Sequence, residues 1–160
     1  FLLKNNISSS KCIIDSSLTL SVYGIREAKD IDFLCDSNEI VNHHTKGIEI
    51  HDEELKFHSF DKNELIHNPL AYFYFNDLKF ISFSKLFEFK NKRNEAKDIN
   101  DCIMMEAFIH NNTFKKKLAE LRQYFLYKRI MLIHYIPVIL KKMHLYIPIR
   151  YIYRFFKSKY

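Results

Sequence analysis

The 160-residue chain has no tryptophan, two glycines, three prolines and three cysteines. We interpret the shortage of glycine and proline as a coding bias without functional meaning. The cysteines, Cys12, Cys35 and Cys102, lie far apart and form no Cys-x-x-Cys pair, which argues against a zinc finger and against a disulfide scaffold. We therefore expect three reduced thiols, with Cys12 and Cys35 as small buried residues.

Long apolar runs are also missing. The longest uncharged stretch, residues 130–140, is far shorter than the roughly 20 residues of a membrane-spanning helix. No signal peptide is recognisable, and because the chain begins at Phe1 without methionine we expect a fragment or a trimmed product. With 48% apolar residues the chain is globular, and its length suits one domain. The expected location is the cytoplasm, with contact to the inner face of the membrane.

The charges are distributed unevenly along the chain. Residues 113–160 hold twelve Lys/Arg and one acid, a net of +11, whereas residues 1–112 hold thirteen Lys/Arg and eighteen acids, a net of −5. This asymmetry predicts a domain over 1–112 and a basic amphipathic helical tail over 113–160. Each of Pro137 and Pro148 should break or restart a helix in this tail.

Basic residues interleaved with bulky aliphatics in the tail suit an anionic membrane surface, with nucleic acid as the less favoured partner. The plainer alternative is a helix that packs on the domain and leaves its lysines in water.

Residues 12–35 carry the clearest chemical pattern. An apolar strand over 11–15 is followed by Ser16 and Ser17, by a helix over 18–23 and by a second strand over 29–34. Side chains alternate along a strand, so Asp30 and Asp32 should share one face, about 7 Å apart. Two carboxylates at this spacing suit Mg²⁺, and the turn before the helix suits a phosphate. A metal beside a phosphate suggests phosphoryl or nucleotidyl transfer.

This order of strand, small residues, helix and Asp-x-Asp resembles the nucleotidyltransferase superfamily of the DNA-polymerase-β type. The AbiEii-like branch has the pattern GG-T-x-L-x-L-x-x-G-x-R-x-x-x-D-I-D-F. Here Ser16-Ser17 stands at the Gly-Gly position, Gly24 and Arg26 fall at the turn, and residues 30–33 form the acidic strand. The run is also similar to small proteins encoded in bacterial surface-polysaccharide loci, including capsular ones.

A second segment resembles the AbiEii-like pattern K-x-x-x-x-R-x-x-x-K-D-x-x-D. The matching residues are Lys90 (slightly offset), Arg93, Lys97, Asp98 and Asp101. The resemblance, which covers residues 11–110, implies that the basic residues hold a triphosphate and that Asp98 caps a helix or orients Lys97. The alternative is a charged turn between two helices.

The resemblance implies a small mixed-sheet α/β (α+β) domain that uses Mg²⁺ or another divalent cation. Asp30 and Asp32 would be the catalytic metal ligands. The residues expected to hold the nucleoside triphosphate are Ser16, Ser17, Arg26, Lys90, Arg93, Lys97 and Asp98. The reaction would move a nucleotidyl group to an acceptor hydroxyl that the motif does not specify, in surface-polysaccharide biosynthesis.

Two other functions stay open. One is a catalytically inactive binding or scaffold module, which the serine at a glycine position and the missing clear third carboxylate favour. Glu49 and Asp52 are the candidates for that third carboxylate. The other is an AbiEii-like toxin that modifies RNA or protein.

The remaining patterns predict local structure. Residues 47–60 should form one long strand or a hairpin, and His43-His44 a surface loop. Residues 72–84 should form a hairpin with its turn at Asn76-Asp77. Helices should follow, one capped by Ser84 and one over 101–110. The residues expected to be buried in the helix over 101–110 are Ile103, Met104, Ala107 and Phe108.

Overall fold

The computed structural model describes residues 1–2, 6–36 and 46–142, with residues 130 and 140 described by their backbone alone. The chain divides into two compact units, Phe1–Lys116 and Lys117–Tyr160. The described strands are β1 (Cys12–Asp15), β2 (Ile31–Cys35), β3 (Ile48–Ile50), β4 (Tyr72–Phe75) and β5 (Leu78–Ile81). The described α-helices are α1 (Ser17–Val22), α2 (Lys62–His67), α3 (Phe83–Arg93), α4 (Ala96–Ile109) and α5 (Thr113–Lys142).

The strands form a single mixed sheet in the order β3-β2-β1-β5-β4. β1 pairs antiparallel with β2 and parallel with β5, β2 pairs parallel with β3, and β4 pairs antiparallel with β5. A mixed sheet combined with several helices is an α+β fold, so the predicted fold class is confirmed.

The two faces of the sheet differ in chemistry. Ile13 and Leu34 lie on a buried face, where they belong to the core. The largest fully buried apolar side chains of the Phe1–Lys116 unit include Leu20, Leu65, Ile66, Ile81, Leu86, Phe89, Met104 and Met105. The opposite face carries Ile14, Ile31 and Phe33, which line an apolar groove of about 360 Å³. Asp32 therefore points away from the groove, as the alternation of the acidic strand predicts.

Cys12 and Cys35 are joined by a disulfide bond, so the expectation of reduced thiols is wrong for this pair. They are directly opposite each other in the β1–β2 ladder, with their Cα atoms 4.3 Å apart. Twenty-three residues of sequence separation hide this proximity, because strand pairing alone brings the two positions together. Both residues are buried, as expected, and Cys102 is a buried free thiol.

The aromatic hairpin is confirmed. β4 and β5 are joined by Asn76 and Asp77, which have φ values of 48° and 59°. Two successive positive φ angles are typical of the primed turn that connects twisted antiparallel strands, and Asn and Asp tolerate them well.

Several boundaries differ from the prediction. Residues 47–60 form the three-residue strand β3 and a 3-10 helix, Asp52–Phe57, rather than one long strand or a hairpin. Ser82, not Ser84, occupies the N-cap position of α3. α4 begins earlier than expected, after a capping box in which Glu95 and Asp98 each bond the other's backbone N–H.

The buried residues of α4 are partly as predicted. Met104 and Ala107 are buried, whereas Ile103 is half-buried and Phe108 is exposed. His43-His44 lies outside the described residues.

α5 continues through Pro137, so the predicted break at this residue is wrong. A proline inside a helix removes one backbone hydrogen bond, and a 30-residue helix can absorb that loss as a local bend. Pro148 lies outside the described residues. In the part of the chain that is described, no helix combines the length and apolarity needed to cross a membrane.

Candidate functional site

Strand register places three carboxylates in a row across β1, β2 and β3. Asp15 is the partner of Asp32 in the antiparallel ladder, and Glu49 is the partner of Asp32 in the parallel ladder. Partners in a ladder direct their side chains to the same face of the sheet. Asp15 is fully buried, Asp32 is nearly so, and Glu49 is exposed at the edge. The row therefore runs from the core to solvent.

The two serines that follow β1 contact the two aspartates of the Asp-x-Asp motif. The Ser17 hydroxyl donates to Asp30 Oδ1 at 3.0 Å, and the Ser16 side chain lies near Asp32. Ser16, Ser17, Asp30 and Asp32 therefore lie close together in the fold. We name Asp15, Asp30, Asp32 and Glu49, with Ser16 and Ser17, the acidic site.

Ser16 has the backbone conformation of a glycine. Its φ of 59° and ψ of −129° lie where a side chain costs of order 1–3 kcal/mol. Ser16 is the N-cap residue of α1, yet its side chain makes no capping hydrogen bond. Its backbone N–H instead donates to Asp15 Oδ1 at 2.6 Å. The tight turn therefore serves the acidic site rather than the helix.

The ring of His51 lies between Asp15 and Asp32. Its Nδ1 is 3.6 Å from Asp15 Oδ2, and its Nε2 is 3.8 Å from Asp32 Oδ1. His51 follows β3 directly, and its backbone N–H donates to the Phe33 carbonyl at 3.0 Å, which fixes its position beside β2. Both side-chain distances exceed those of good hydrogen bonds, so the imidazole acts mainly through charge.

A second histidine supports Asp15 from the core. His58 Nε2 lies 3.2 Å from Asp15 Oδ2, and the His58 ring stacks on Phe89 with a centroid distance of 4.3 Å. Both His58 and Asp15 are almost completely buried. This pair anchors the buried end of the carboxylate row.

The pKa values of the acidic site diverge. Burial raises the pKa of Asp15, but the neighbouring His51 and His58, together with the backbone N–H of Ser16, outweigh burial and hold this pKa far below its usual range. Burial, with the charges of Asp30 and Asp15, raises the pKa of Asp32 despite the nearby His51. Burial lowers the pKa of His51, but the carboxylates of Asp15 and Asp32 outweigh burial, so this pKa is raised. Neighbouring carboxyls with opposite shifts are typical of functional sites.

Three of the predicted triphosphate-binding residues of α3 and α4, Lys90, Arg93 and Asp98, belong to an internal cluster of ion pairs. Lys90 contacts Asp98 at 3.3 Å and Asp101 at 2.8 Å, and Arg93 binds both carboxylate oxygens of Asp98 at 2.7 Å. Arg26, which the resemblance also assigns to the triphosphate, binds Asp101 through two hydrogen bonds of 2.7 and 2.9 Å. We name these five residues the ion-pair network.

Each member of the ion-pair network is at least largely buried, which strengthens the mutual attraction. Burial is outweighed by the cations, so the pKa of Asp98 and that of Asp101 are both lowered. Lys97 stands apart: its side chain is 57% exposed and lies 3.4 Å from Glu95. The predicted cofactor residues thus fall into three places rather than one.

The two candidates for a third carboxylate, Glu49 and Asp52, differ in their surroundings. Glu49 lies beside Asp32 in the ladder, whereas Asp52 begins the 3-10 helix and pairs with Lys62 at 2.8 Å. Asp15, His51 and His58 are the residues that the motif analysis missed. Asp15 ends a strand directly before the serine pair, and this position in the sequence could have identified it as a site residue. His51 and His58 reach the site only through tertiary packing.

The donor chemistry of the acidic site fits a hard divalent cation, because carboxylate and hydroxyl oxygens are the ligands such ions prefer. Within residues 1–2, 6–36 and 46–142, no three His, Cys, Asp or Glu side chains are already arranged as a metal cluster.

Comparisons of the chain with models of protein families, with curated proteins and with solved structures found no match.

Proposed function

We propose that the Phe1–Lys116 unit is a nucleotidyltransferase domain that depends on a divalent cation. The observation that carries the proposal is the hydrogen bond from Ser17 to Asp30, on the sheet face where Asp32 lies in register with Glu49. It combines an oxygen-rich cation site with a tight turn next to it, as the sequence resemblance implies. The substrate would be a nucleoside triphosphate.

The residues of the acidic site have separate tasks in this proposal. Asp30, Asp32 and Glu49 would hold the cation, which when bound supplies positive charge beside the phosphates. Ser17 keeps Asp30 in place, and the charge of His51, which lies between Asp15 and Asp32, offsets the repulsion between these two carboxylates. The acceptor oxygen would bond to the α-phosphorus, pyrophosphate would leave and the hydroxyl proton would pass to water.

The ion-pair network orders the domain around this site. Arg26 belongs to the segment between α1 and β2, and its bonds to Asp101 tie that segment to α4. Arg93 also reaches Glu54 at 3.6 Å, three residues after His51. We propose a supporting role for Arg26, Lys90, Arg93 and Asp98 rather than direct phosphate binding. On the basis of the resemblance, we also propose that the domain acts in surface-polysaccharide synthesis and that the acceptor hydroxyl belongs to a saccharide.

Calorimetry tests the proposal. Each nucleoside triphosphate is titrated into the protein with and without Mg²⁺, using the parent and an Asp30→Asn/Asp32→Asn variant. The expected result is Mg²⁺-dependent binding by the parent that falls at least tenfold in the variant, because two cation ligands are lost. No binding by the folded parent would contradict the proposal.

A matched pair of variants tests the third carboxylate. Glu49→Gln should weaken the Mg²⁺-dependent binding by roughly tenfold, the lower end of effects at metal sites. Asp52→Asn removes a charge three residues away and should leave binding unchanged. Equal effects of the two changes would remove Glu49 from the site.

A non-catalytic module is the second candidate, because His51 already lies between two carboxylates and the basic residues are paired internally. Incubation with triphosphate labelled at the α-phosphorus separates the two. Label transferred to a saccharide acceptor supports the enzyme, whereas nucleotide binding without transfer to any acceptor supports the module. Labelled RNA or protein would indicate the toxin-like activity.

A further inference from the structure

The second half of α5 is an exposed apolar segment with basic residues at both ends. We name residues 130–140 the apolar segment. Its large apolar side chains with described surroundings are each 49–58% exposed: Met131, Leu132, Ile133, Tyr135, Ile136, Val138 and Ile139. Successive helical residues are about 100° apart, so these side chains cover all sides of the helix. A helix that is apolar all round is normally buried in something.

The charge around the apolar segment is strongly positive. Lys128 and Arg129 precede it, and Lys141 and Lys142 follow it as the last residues of α5. Over residues 113–142 there are eight Lys/Arg and one acid, Glu120, which gives a net charge of +7. The material that covers the segment must therefore be both apolar and negatively charged.

We propose that the apolar segment docks on a lipid surface that contains anionic headgroups. Eleven helical residues span roughly 16 Å, about half the hydrocarbon thickness, so the segment is too short to cross it and long enough to lie along its boundary. The long basic side chains at both ends can reach the phosphates while their stems follow the apolar region. Tyr135 suits the same boundary.

The charges and the apolar side chains argue against other occupants. A second copy of the helix would bring another +7 of charge against the first, which opposes self-association. A nucleic acid backbone would satisfy the lysines but would leave seven large apolar side chains in water. Of these three occupants, the lipid surface satisfies both features.

Co-sedimentation of the full chain with vesicles tests the proposal. The vesicles contain either phosphatidylcholine alone or phosphatidylcholine with 30% phosphatidylglycerol. Strong binding to the anionic vesicles, much weaker binding to the neutral ones and loss of binding in 0.5 M salt are expected. Equal binding to both vesicles, or binding to neither, would overturn the proposal.

Two pairs of variants separate charge from apolar contact. Lys141→Ala/Lys142→Ala should weaken binding to the anionic vesicles by about 30-fold, since each lysine near the surface accounts for about fivefold. Leu132→Ala/Ile136→Ala should weaken it by about tenfold or more through lost apolar burial. The controls are Lys46→Ala/Lys56→Ala and Leu70→Ala, at exposed positions of the other unit, and they should bind like the parent.

Experiments on the same protein and variants would also reveal a different occupant of the apolar segment. Elution of the chain as a dimer that the Leu132→Ala/Ile136→Ala change dissociates, without vesicle binding, would assign the surface to a second copy. Binding of RNA without vesicle binding would assign it to nucleic acid. Either result overturns the proposal, and neither depends on whether the acidic site transfers nucleotides.

Discussion

The acidic site and the ion-pair network lie in the same unit but balance their charges differently. In the ion-pair network, two buried aspartates are met by Lys90, Arg26 and Arg93 at 2.7–3.3 Å. In the acidic site, the cationic group described beside Asp32 is His51, at 3.8 Å. The pKa of each aspartate in the network is lowered, while that of Asp32 is raised.

This difference suggests that the charges of the ion-pair network stabilise the fold, whereas those of the acidic site can bind a cation. A carboxylate that already holds two cations gains little from a ligand, whereas a carboxylate crowded by other carboxylates gains much from a cation. The same comparison explains why Arg26, Lys90 and Arg93 resemble phosphate-binding residues in sequence and yet contact Asp98 and Asp101 in the fold.

Breaking the ion-pair network should give the largest change in stability. Lys90→Met leaves Asp98 and Asp101 with one cation fewer in a buried place, and we expect the free energy of unfolding to fall by about 3–5 kcal/mol. Urea unfolding followed by circular dichroism measures this change. The control is Lys97→Met, which removes a lysine whose side chain is 57% exposed and should change stability little. Similar losses from both changes would show that the network is not a stabilising unit.

The dependence of stability on pH should follow the network. The folded pKa of Asp101 lies below its ordinary value of 3.8, so the stabilisation is complete at neutral pH. It is lost as the pH falls below about 4 and through the lowered folded pKa. We expect Asp101→Asn to cost about 3–5 kcal/mol at pH 7 and progressively less as the pH falls below about 4. A difference between parent and variant that stays constant with pH would contradict this assignment.

The smallest expected effect tests the strained turn of the acidic site. Ser16 and Ser17 are each replaced by alanine and by glycine, so that loss of the hydroxyl is common to both changes at one position. At Ser16 the glycine variant should be more stable than the alanine variant by about 1 kcal/mol, because it relieves the positive φ. At Ser17, inside α1, glycine should be less stable by about 0.5 kcal/mol. Thermal unfolding measures both differences, and the same sign at both positions would show that Ser16 is not strained.

Much of the local structure follows from local chemistry. The alternation of Asp30 to Phe33 predicted which side chains share a face, and Asn76-Asp77 predicted the hairpin turn, because strand geometry and positive φ depend on neighbouring residues. The α+β class was predictable for the same reason. The length of β3 was not, since residues 48–51 alternate but pairing with β2 ends at Ile50.

The candidate site was predictable in part. The serine pair and the Asp-x-Asp motif lie within seventeen residues of each other, and the helix between them limits where they can meet. Asp15, His51 and His58 reach the same site through strand register and core packing, which no spacing in the chain encodes. The Cys12–Cys35 disulfide was missed for the same reason.

By itself, the sequence determined the alternation of the acidic strand, the tight turn of the hairpin and the basic, apolar character of the last 48 residues. These depend on the backbone geometry and polarity of residues that are close along the chain. Only the tertiary structure decided which charges are already neutralised and which are not. Charge compensation depends on distances of a few ångströms between residues as far apart as Arg26 and Asp101, and those distances exist only once the sheet and helices have packed.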